Sequence, residues 1–362
     1  MSTTSFMPSS ESDVRDLLIS ETEGLHIAGG QSRLRATEEK IISTCALTGI
    51  VEYEPGALTM VAKAGTPLSI INETLQKENQ QLAFEPLEYK HILNLLGHST
   101  IGGVFATNAS GSRRIQVGAA RDHLLGVRFI DGLGRVVKNG GRVMKNVTGY
   151  DLVKLMAGSW GTLGIITEVS FKVLPIAETQ VTLKIASREA SILTRAMNTP
   201  YDVSGTFYDV ASGFAYIRIE GFDKSVKYRA QQLLKEFSDF EIDIFDAEES
   251  KNFWSDVNNL AFLKNMQGDL WRISVRPTDG IQIIKKLDPK ASYLDWSGGL
   301  VWLRVEEGFN VREKMQKMSG HAMCLSGTFN QFHPISTIEK TMSTSIRKKF
   351  DPKMLFNQQV FN

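Results

Sequence analysis

The chain moves between two hydrophobic rhythms. Apolar residues recur at every second position in LTMVAKA (58–64), LLGVRFID (124–131) and GIITEVSFKVL (164–174), which predicts strands with one buried face. Shorter strand patterns occupy GLHIA (24–28), residues 41–44, GIVEYEP (49–55) and RVVK (135–138). DGLG (131–134) reads as a hairpin turn. Helical spacing appears in ESDVRDLLIS (11–20) and in PLSIINETLQKENQ (67–80), where Pro67 lies in the first turn and its missing N–H costs nothing.

Beyond Pro175 the pattern repeats itself. VTLKIAS, REASILTRAM, VSGTFYDV, FAYIRIEG, DKSVKYRAQQLLKEF and FEIDIF run β-α-β-β-α-β. LWRISV, PTDGIQIIKKL, SYLDW, LVWLRVE, VREKMQKM and HAMCLSG run in the same order, and the helical AEESKNFWSDVNNLAFLKN separates the two passes. Two such units build one antiparallel sheet with helices on one face. The tail SIRKKFDPKMLFN predicts a helix that stops before Asp351-Pro352. The expected fold class is α+β. The expected division is a first domain over 1–175, a smaller α+β cap over 176–334, and a return to the first domain over 335–362.

Glycine interrupts this pattern in a concentrated way. Fourteen of the 30 glycines fall between positions 97 and 164. Glycine lets a ligand lie against the main chain and lets peptide N–H groups point at an anion. Three clusters could do so: IAGGQS (27–32), TIGGVFATNASGSRR (100–114) and GSWGTLGII (158–166). Three separated loops of this kind suit an extended dinucleotide better than a single phosphate. Taken alone, GGQS is an ordinary turn. The dinucleotide fingerprint G-x-G-x-x-G is missing, because the one G-x-G, at Gly132 and Gly134, lies between strands with Val137 at the third position. No G-x-x-x-x-G-K-[ST] occurs either. Nucleotide binding therefore needs a different fold.

Composition narrows the classes further. With 41 basic and 40 acidic residues the net charge is +1, which argues against nucleic acid or an anionic membrane as partner. The two cysteines, Cys45 and Cys324, form neither a CxxC nor a zinc spacing. They cannot hold a four-thiolate iron–sulfur cluster, and no metal site is expected. The N-terminal MSTTSFMPSSESDVRD lacks the basic start and apolar core of a secretory signal, and no apolar run is long enough for a transmembrane segment. The expected location is the cytoplasm, with any attachment to the inner membrane made through partners.

TIGGVFATNASGSRR, GAARDHLLGVRFIDGLG, GRVMKNVTGYDLVKLMAGSWGTLGIITEVSFKVLP and KKFDPKMLFN resemble the vanillyl-alcohol-oxidase (PCMH-type) FAD-binding proteins, and within them the FAD-binding subunits of bacterial glycolate oxidases. The likeness is carried by residues 20–175. It implies a PCMH-type domain of two α+β subdomains with noncovalent FAD stretched between them. Ala28, Gly29, Gly30, Gln31 and Ser32 would hold the pyrophosphate. Ser99, Thr100, Gly102 and Gly103 would reach pyrophosphate and ribityl. Asn108, Ser110, Gly111 and Arg114 would lie toward the flavin, with Gly118, Arg121 and Asp122 packed close by. Gly164, Ile165 and Ile166 would cover the adenine by main-chain contact, and Pro86 would lie near the adenosine. Arg114 or Lys145 could stabilise anionic reduced flavin, and Lys145 and Asn146 are polar-contact candidates.

The implied activity is two-electron oxidation of a small 2-hydroxy acid, glycolate to glyoxylate, with a catalytic flavin subunit and an iron–sulfur subunit as partners. A stand-alone dehydrogenase and a non-catalytic flavoprotein scaffold are the alternatives. Active dehydrogenases of the family carry an H-x-G-D-G-N-x-H-like segment; the nearest stretch here, SGHAMCLSG, keeps only His321. His91, His98, His123 and His321 read as structural, so no catalytic residue is assigned. Trp254, Trp271, Trp296 and Trp302 read as core or interface anchors, and Tyr150 either packs under a ring or fills the core.

Overall fold

The computed structural model describes residues 5–35, 39–89, 92–93, 95, 97–142, 149–315 and 318–360. The chain begins with β1 (Ser5–Phe6), α1 (Glu11–Ser20), β2 (Leu25–Ala28) and β3 (Lys40–Ser43). The three strands form a parallel sheet in the order β1-β3-β2. Ser10 caps α1 in a reciprocal box with Asp13, and Val14 and Leu18, four residues apart, bury the same face.

Five further strands are β4 (Ile50–Glu54), β5 (Thr59–Lys63), β7 (Leu124–Ile130), β8 (Val136–Gly140) and β9 (Ile165–Lys172). They make an antiparallel sheet in the order β4-β5-β9-β7-β8. Helices α2 (Leu68–Lys77), α3 (Ile101–Thr107), α4 (Arg114–Val117), α5 (Ala120–His123) and α6 (Leu152–Met156) accompany it. The two-residue strands β6 (Gln80–Gln81) and β10 (Leu174–Pro175) pair with each other. Met60, Ile71, Phe84, Val104, Phe105, Phe129 and Phe171 pack one core between this sheet and its helices.

Strand alternation beyond residue 175 yields a single eight-stranded sheet. Its first half contains β11 (Thr179–Ala186), α7 (Ser191–Met197), β12 (Gly205–Asp209), β13 (Phe214–Gly221), α8 (Asp223–Glu236) and β14 (Ile242–Phe245). After α9 (Ala247–Asn258) come β15 (Asp269–Ser274), α10 (Pro277–Leu287), β16 (Ala291–Asp295), β17 (Leu300–Val305), α11 (Val311–Lys314) and β18 (His321–Ser326). The order β14-β11-β13-β12-β16-β17-β15-β18 reads alike from either end, and β12 and β16 join antiparallel at the centre. Leu193, Leu233, Ile283 and Val311, one from each repeat helix, enter one core with Leu183, Ile217, Trp271 and Leu303. The insert α9 does not join that face. Its Trp254 and Val257 pack with Phe207, Trp296 and Trp302 on the other face.

The chain then forms α12 (Thr337–Phe350) and returns to β2. Leu25 N donates to Leu355 O at 2.7 Å, and Asn357 N donates to Leu25 O at 2.9 Å.

Candidate cofactor cleft and the interface beside it

Strand β2 ends at Ala28, and the chain then turns through Gly29–Leu34 along the wall of an open cleft of about 630 Å³. Thr44, Ala64, Thr100, Gly102, Gly103, Ala106, Thr107, Trp160, Gly161 and Ile166 complete the lining. The cleft thus lies where the parallel sheet meets the antiparallel one.

The turn is held by tight backbone packing. A Cβ on Gly30 would lie 1.9 Å from the His98 carbonyl oxygen, and one on Gly97 would lie 1.9 Å from the Gly30 oxygen. His98 N donates to that same Gly30 oxygen at 3.0 Å. Gln31 takes a positive φ of 52°. Among the described residues, the N–H groups of Gly29, Gly30, Gln31, Ser32, Arg33 and Leu34 have no hydrogen-bond acceptor. A run of free N–H groups through a left-handed residue is an anion nest. Arg33, 4% exposed, stands behind it and donates to Ser32 Oγ at 3.3 Å and Leu87 O at 2.8 Å, while its Nε has no partner. Burial pulls the Arg33 pKa down, and Glu88 and Tyr89 act against that. The site therefore fits a pyrophosphate: free backbone donors among the described residues and a cation fixed behind them.

The second glycine cluster is helical rather than an open loop. Thr100 caps α3 and accepts from Gly103 N at 3.3 Å. Gly102 is small because a Cβ there would approach the Ala64 Cβ to 2.5 Å. Helix–strand proximity, not ligand contact alone, demands that glycine.

Nine of the 20 expected cofactor residues line the cleft: Ala28, Gly29, Gly30, Gln31, Ser32, Thr100, Gly102, Gly103 and Ile166. Ser99 stands next to them, bonded to Ser32 Oγ at 3.3 Å and to Glu88 at 2.8 Å. Gly164 and Ile165 lie behind the wall. The space beyond Gly164 Cα is filled by the Phe129 ring, and Ile165 packs with Val14 and Phe356. Pro86 belongs to the stretch after β6 that runs between the two large sheets, and it does not line the cleft.

The remaining expected residues gather in a second group. Asn108 Oδ1 accepts from Arg121 N and Ser110 Oγ accepts from Ala120 N, each at 2.9 Å. Asp122 accepts from Ala119 N at 2.8 Å beside Gly118, whose φ is +88°. These contacts brace the chain so that Gly111 and Arg114 face the eight-stranded sheet. Gly111 O accepts from Trp296 Nε1 at 2.9 Å, and the Arg114 guanidinium lies 4.5 Å from the Trp296 ring centre.

Several buried polar groups cross this interface. Ser112 donates to Asp295 at 2.7 Å, Arg113 pairs with Glu220 at 2.8 Å, and Arg218 pairs with Glu85. Burial pushes the Asp295 carboxyl up to about 7 against the opposing bonds from Ser112 and Trp296 N. No local pattern marks Arg33, Glu85 or Asp295. Arg272 left a trace, as a charge on alternate positions of the apolar stretch LWRISV.

His123 is buried, its Nε2 is 3.0 Å from Val117 O, and burial lowers its pKa. His98 and His321 are exposed. Trp254, Trp271, Trp296 and Trp302 are buried. Tyr150 is 89% exposed, so it neither fills the core nor underlies a ring; its carbonyl accepts from Asn139 Nδ2 and its side chain points to solvent. His91, Lys145 and Asn146 lie outside the described residues.

Residues 7–140 match a family described as FAD binding domain. The glycolate oxidase subunit GlcE of Escherichia coli is 34% identical over 94% of this chain and 93% of its own length. The chain belongs to the GlcE family. The glycolate oxidase subunit GlcD of Bacillus subtilis is 44% identical over 85 residues, 24% of this chain and 18% of that protein. An alkyldihydroxyacetonephosphate synthase structure superposes with a TM-score of 0.71 at 16% identity, over 97% of this chain and 75% of that one, and shares the fold. The GlcE family is thus a PCMH-type α+β flavoprotein family, and FAD is its cofactor. Among the described residues, no helix is long and apolar enough to cross a membrane, and no group of three or more His, Cys, Asp or Glu could hold a metal ion.

Proposed function

We propose that the chain is the FAD-binding subunit of a glycolate oxidase complex. It would oxidise glycolate to glyoxylate together with a catalytic flavin subunit and an iron–sulfur subunit. The observation that carries this reading is the run of free N–H groups over Gly29–Leu34 with Arg33 behind it. These residues suit the pyrophosphate of noncovalent FAD, with Thr100, Gly102 and Gly103 on the facing wall. Asn108, Ser110, Gly118, Arg121 and Asp122 hold the segment that leads toward the flavin end. When bound, FAD supplies the acceptor for the two electrons leaving the CH–OH carbon.

A partner has a candidate surface. Only Arg347 of α12 is buried, and Ile338, Met342 and Ile346 stand exposed at four-residue intervals. The opposite face of α12 borders a separate groove, which Ile346 alone of the three reaches and which Leu155, Leu163, Met354 and Val360 share with Lys340 and Arg347. A helix of this length draws most of its stability from packing. Exposed Glu339 borders the stripe near its start and exposed Lys349 near its end, so the occupant we infer is a partner subunit with an apolar ridge.

The deciding experiment is purification alone and after co-expression with partner chains, with flavin absorption and glycolate–dye turnover measured on both. Flavin in the chain with turnover only in the complex supports the reading. Colourless protein under saturating FAD refutes it, and full turnover by the chain alone makes it a stand-alone dehydrogenase. Yellow colour left in an acid precipitate refutes noncovalent binding.

A further inference from the structure

Arginine is almost never left buried without an acceptor, because its guanidinium carries five N–H donors and a permanent charge. Each described arginine other than two has a hydrogen bond, an ion pair or open exposure to water, although buried nitrogens of Arg33, Arg113, Arg304 and Arg347 lack a hydrogen bond. Arg33, Arg35, Arg128, Arg218, Arg229, Arg304 and Arg312 donate to carbonyls, hydroxyls or carboxylates, and Arg113 pairs with Glu220. Arg15, Arg121 and Arg188 are exposed to water. Arg114 and Arg272 are half-buried and have neither a hydrogen bond nor an ion pair among the described residues.

Both converge on one ring. The Arg114 guanidinium carbon lies 4.5 Å from the Trp296 ring centre, and that of Arg272 lies 5.1 Å from it and 5.8 Å from the Trp302 ring. Arg272 Nε is buried without an acceptor. Contact with an aromatic face offsets part of a cation's desolvation but satisfies no N–H. Asp122 is the acid that acts on Arg114, and its carboxylate accepts from Ala119 N; of the interface acids, Glu85 is engaged by Arg218, Glu220 by Arg113 and Asp295 by Ser112. Arg114 feels Arg272 as a repelling charge, second only to burial in lowering its pKa. Trp296 and Ser297 both take positive φ, 51° and 60°, without being glycine. Strain of this kind persists where the surroundings enforce it, as at ligand clamps. The two arginines also come from different parts of the fold, Arg114 from α4 and Arg272 from β15 of the eight-stranded sheet.

We propose that Arg114 and Arg272, arranged around Trp296, bind the carboxylate of the small acid that the complex oxidises. A planar fork of N–H donors matches a carboxylate two-to-two, and a pair of such forks gives the charge and the orientation together. This rests on the glycolate reading above and sharpens it: the subunit holds the substrate anion itself. The pair positions the acid, and the base that takes its hydroxyl proton is left to another group.

The test uses the yellow holo-chain. Oxalate, a carboxylate with no C–H to oxidise, is titrated by calorimetry and by the visible flavin spectrum, with ethylene glycol and inorganic phosphate as controls. The expected result is saturable oxalate binding that weakens at least tenfold in both Arg114→Gln and Arg272→Gln. Arg272→Lys restores part of it, and ethylene glycol does not bind. Wild-type oxalate affinity in either glutamine variant, with only a lowered Tm, would show a plain interface contact and overturn the proposal. Phosphate binding as tightly as oxalate overturns the substrate assignment, and a shifted flavin midpoint potential with unchanged oxalate affinity reassigns the pair to the flavin. Failure of the cofactor reading looks different: the protein is colourless, and calorimetry still reads the arginine site.

Discussion

Arg218 grips Glu85 with two parallel bonds, Nη1 to Oε1 at 2.8 Å and Nη2 to Oε2 at 3.0 Å. The pair ties β13 in the centre of the eight-stranded sheet to the stretch that follows β6. Arg218 also lies 4.5 Å from the Trp254 ring and donates to Ser204 Oγ. Removing one partner of a buried pair leaves the other uncompensated and costs about 3–5 kcal/mol. Arg218→Met is therefore expected to destabilise the protein by about 3 kcal/mol, at the lower end because the Glu85 side chain keeps 17% exposure. Adding Glu85→Gln should return part of the loss in denaturant unfolding. A double variant no more stable than the single one would contradict this.

Gly30 is the position where the cofactor turn tolerates least. The atom that a Cβ would meet is the backbone oxygen of His98, which no side-chain rotation can move away. Gly30→Ala should shift the turn and lower FAD affinity by roughly tenfold or more, a loss of about 1.4 kcal/mol. Gln31→Gly relieves a positive φ and should keep its flavin. The flavin-to-protein ratio after gel filtration distinguishes the two.

Asp295 makes stability depend on pH in a direction opposite to the common carboxylate case. Its pKa rises from 3.8 to about 7 on folding. Between those values the unfolded chain releases a proton that the folded chain keeps, so stability falls as pH rises. The slope is at most about 1.4 kcal/mol per pH unit. Ser112 and Trp296 N oppose the shift, Glu85 adds to it, and Arg218 reduces it. Asp295→Asn should flatten the profile between about pH 4 and pH 7. An unchanged slope in thermal melts across that window would exclude Asp295 as its source.

The stripe on α12 gives a prediction about assembly. Ile338→Ser with Met342→Ser should leave the flavin spectrum unchanged and abolish co-purification of the partner subunits. Partner retained by the double variant would place the contact elsewhere.

Strand alternation and helical spacing were enough to read both β-α-β-β-α-β passes, because each strand buries alternate residues against helices of its own repeat. Residues 27–32 were legible for a related reason, since two glycines directly after a strand mark close backbone approach. The segment 100–107 misled because its glycines argue against a helix. Local propensity lost to the Thr100 cap and to the space that Ala64 leaves beside Gly102. The insert α9 could be read as a helix but not assigned a face, because that depends on Trp254 meeting Thr182, 72 positions away. Arg114 stands out in the sequence as the last residue of the TIGGVFATNASGSRR cluster, whereas its companionship with Arg272 exists only once α4 lies against the eight-stranded sheet.

Asn357 reaches both walls of the cofactor cleft. Its side chain accepts from Ile27 N at 2.7 Å and donates to Ile27 O at 3.1 Å and Trp160 O at 2.6 Å. The cleft proposed for FAD is therefore fastened by a residue translated 330 positions after Ile27. A nascent chain still short of that residue lacks this tie, so the cleft proposed for FAD reaches its finished form only once the C-terminal segment has been made.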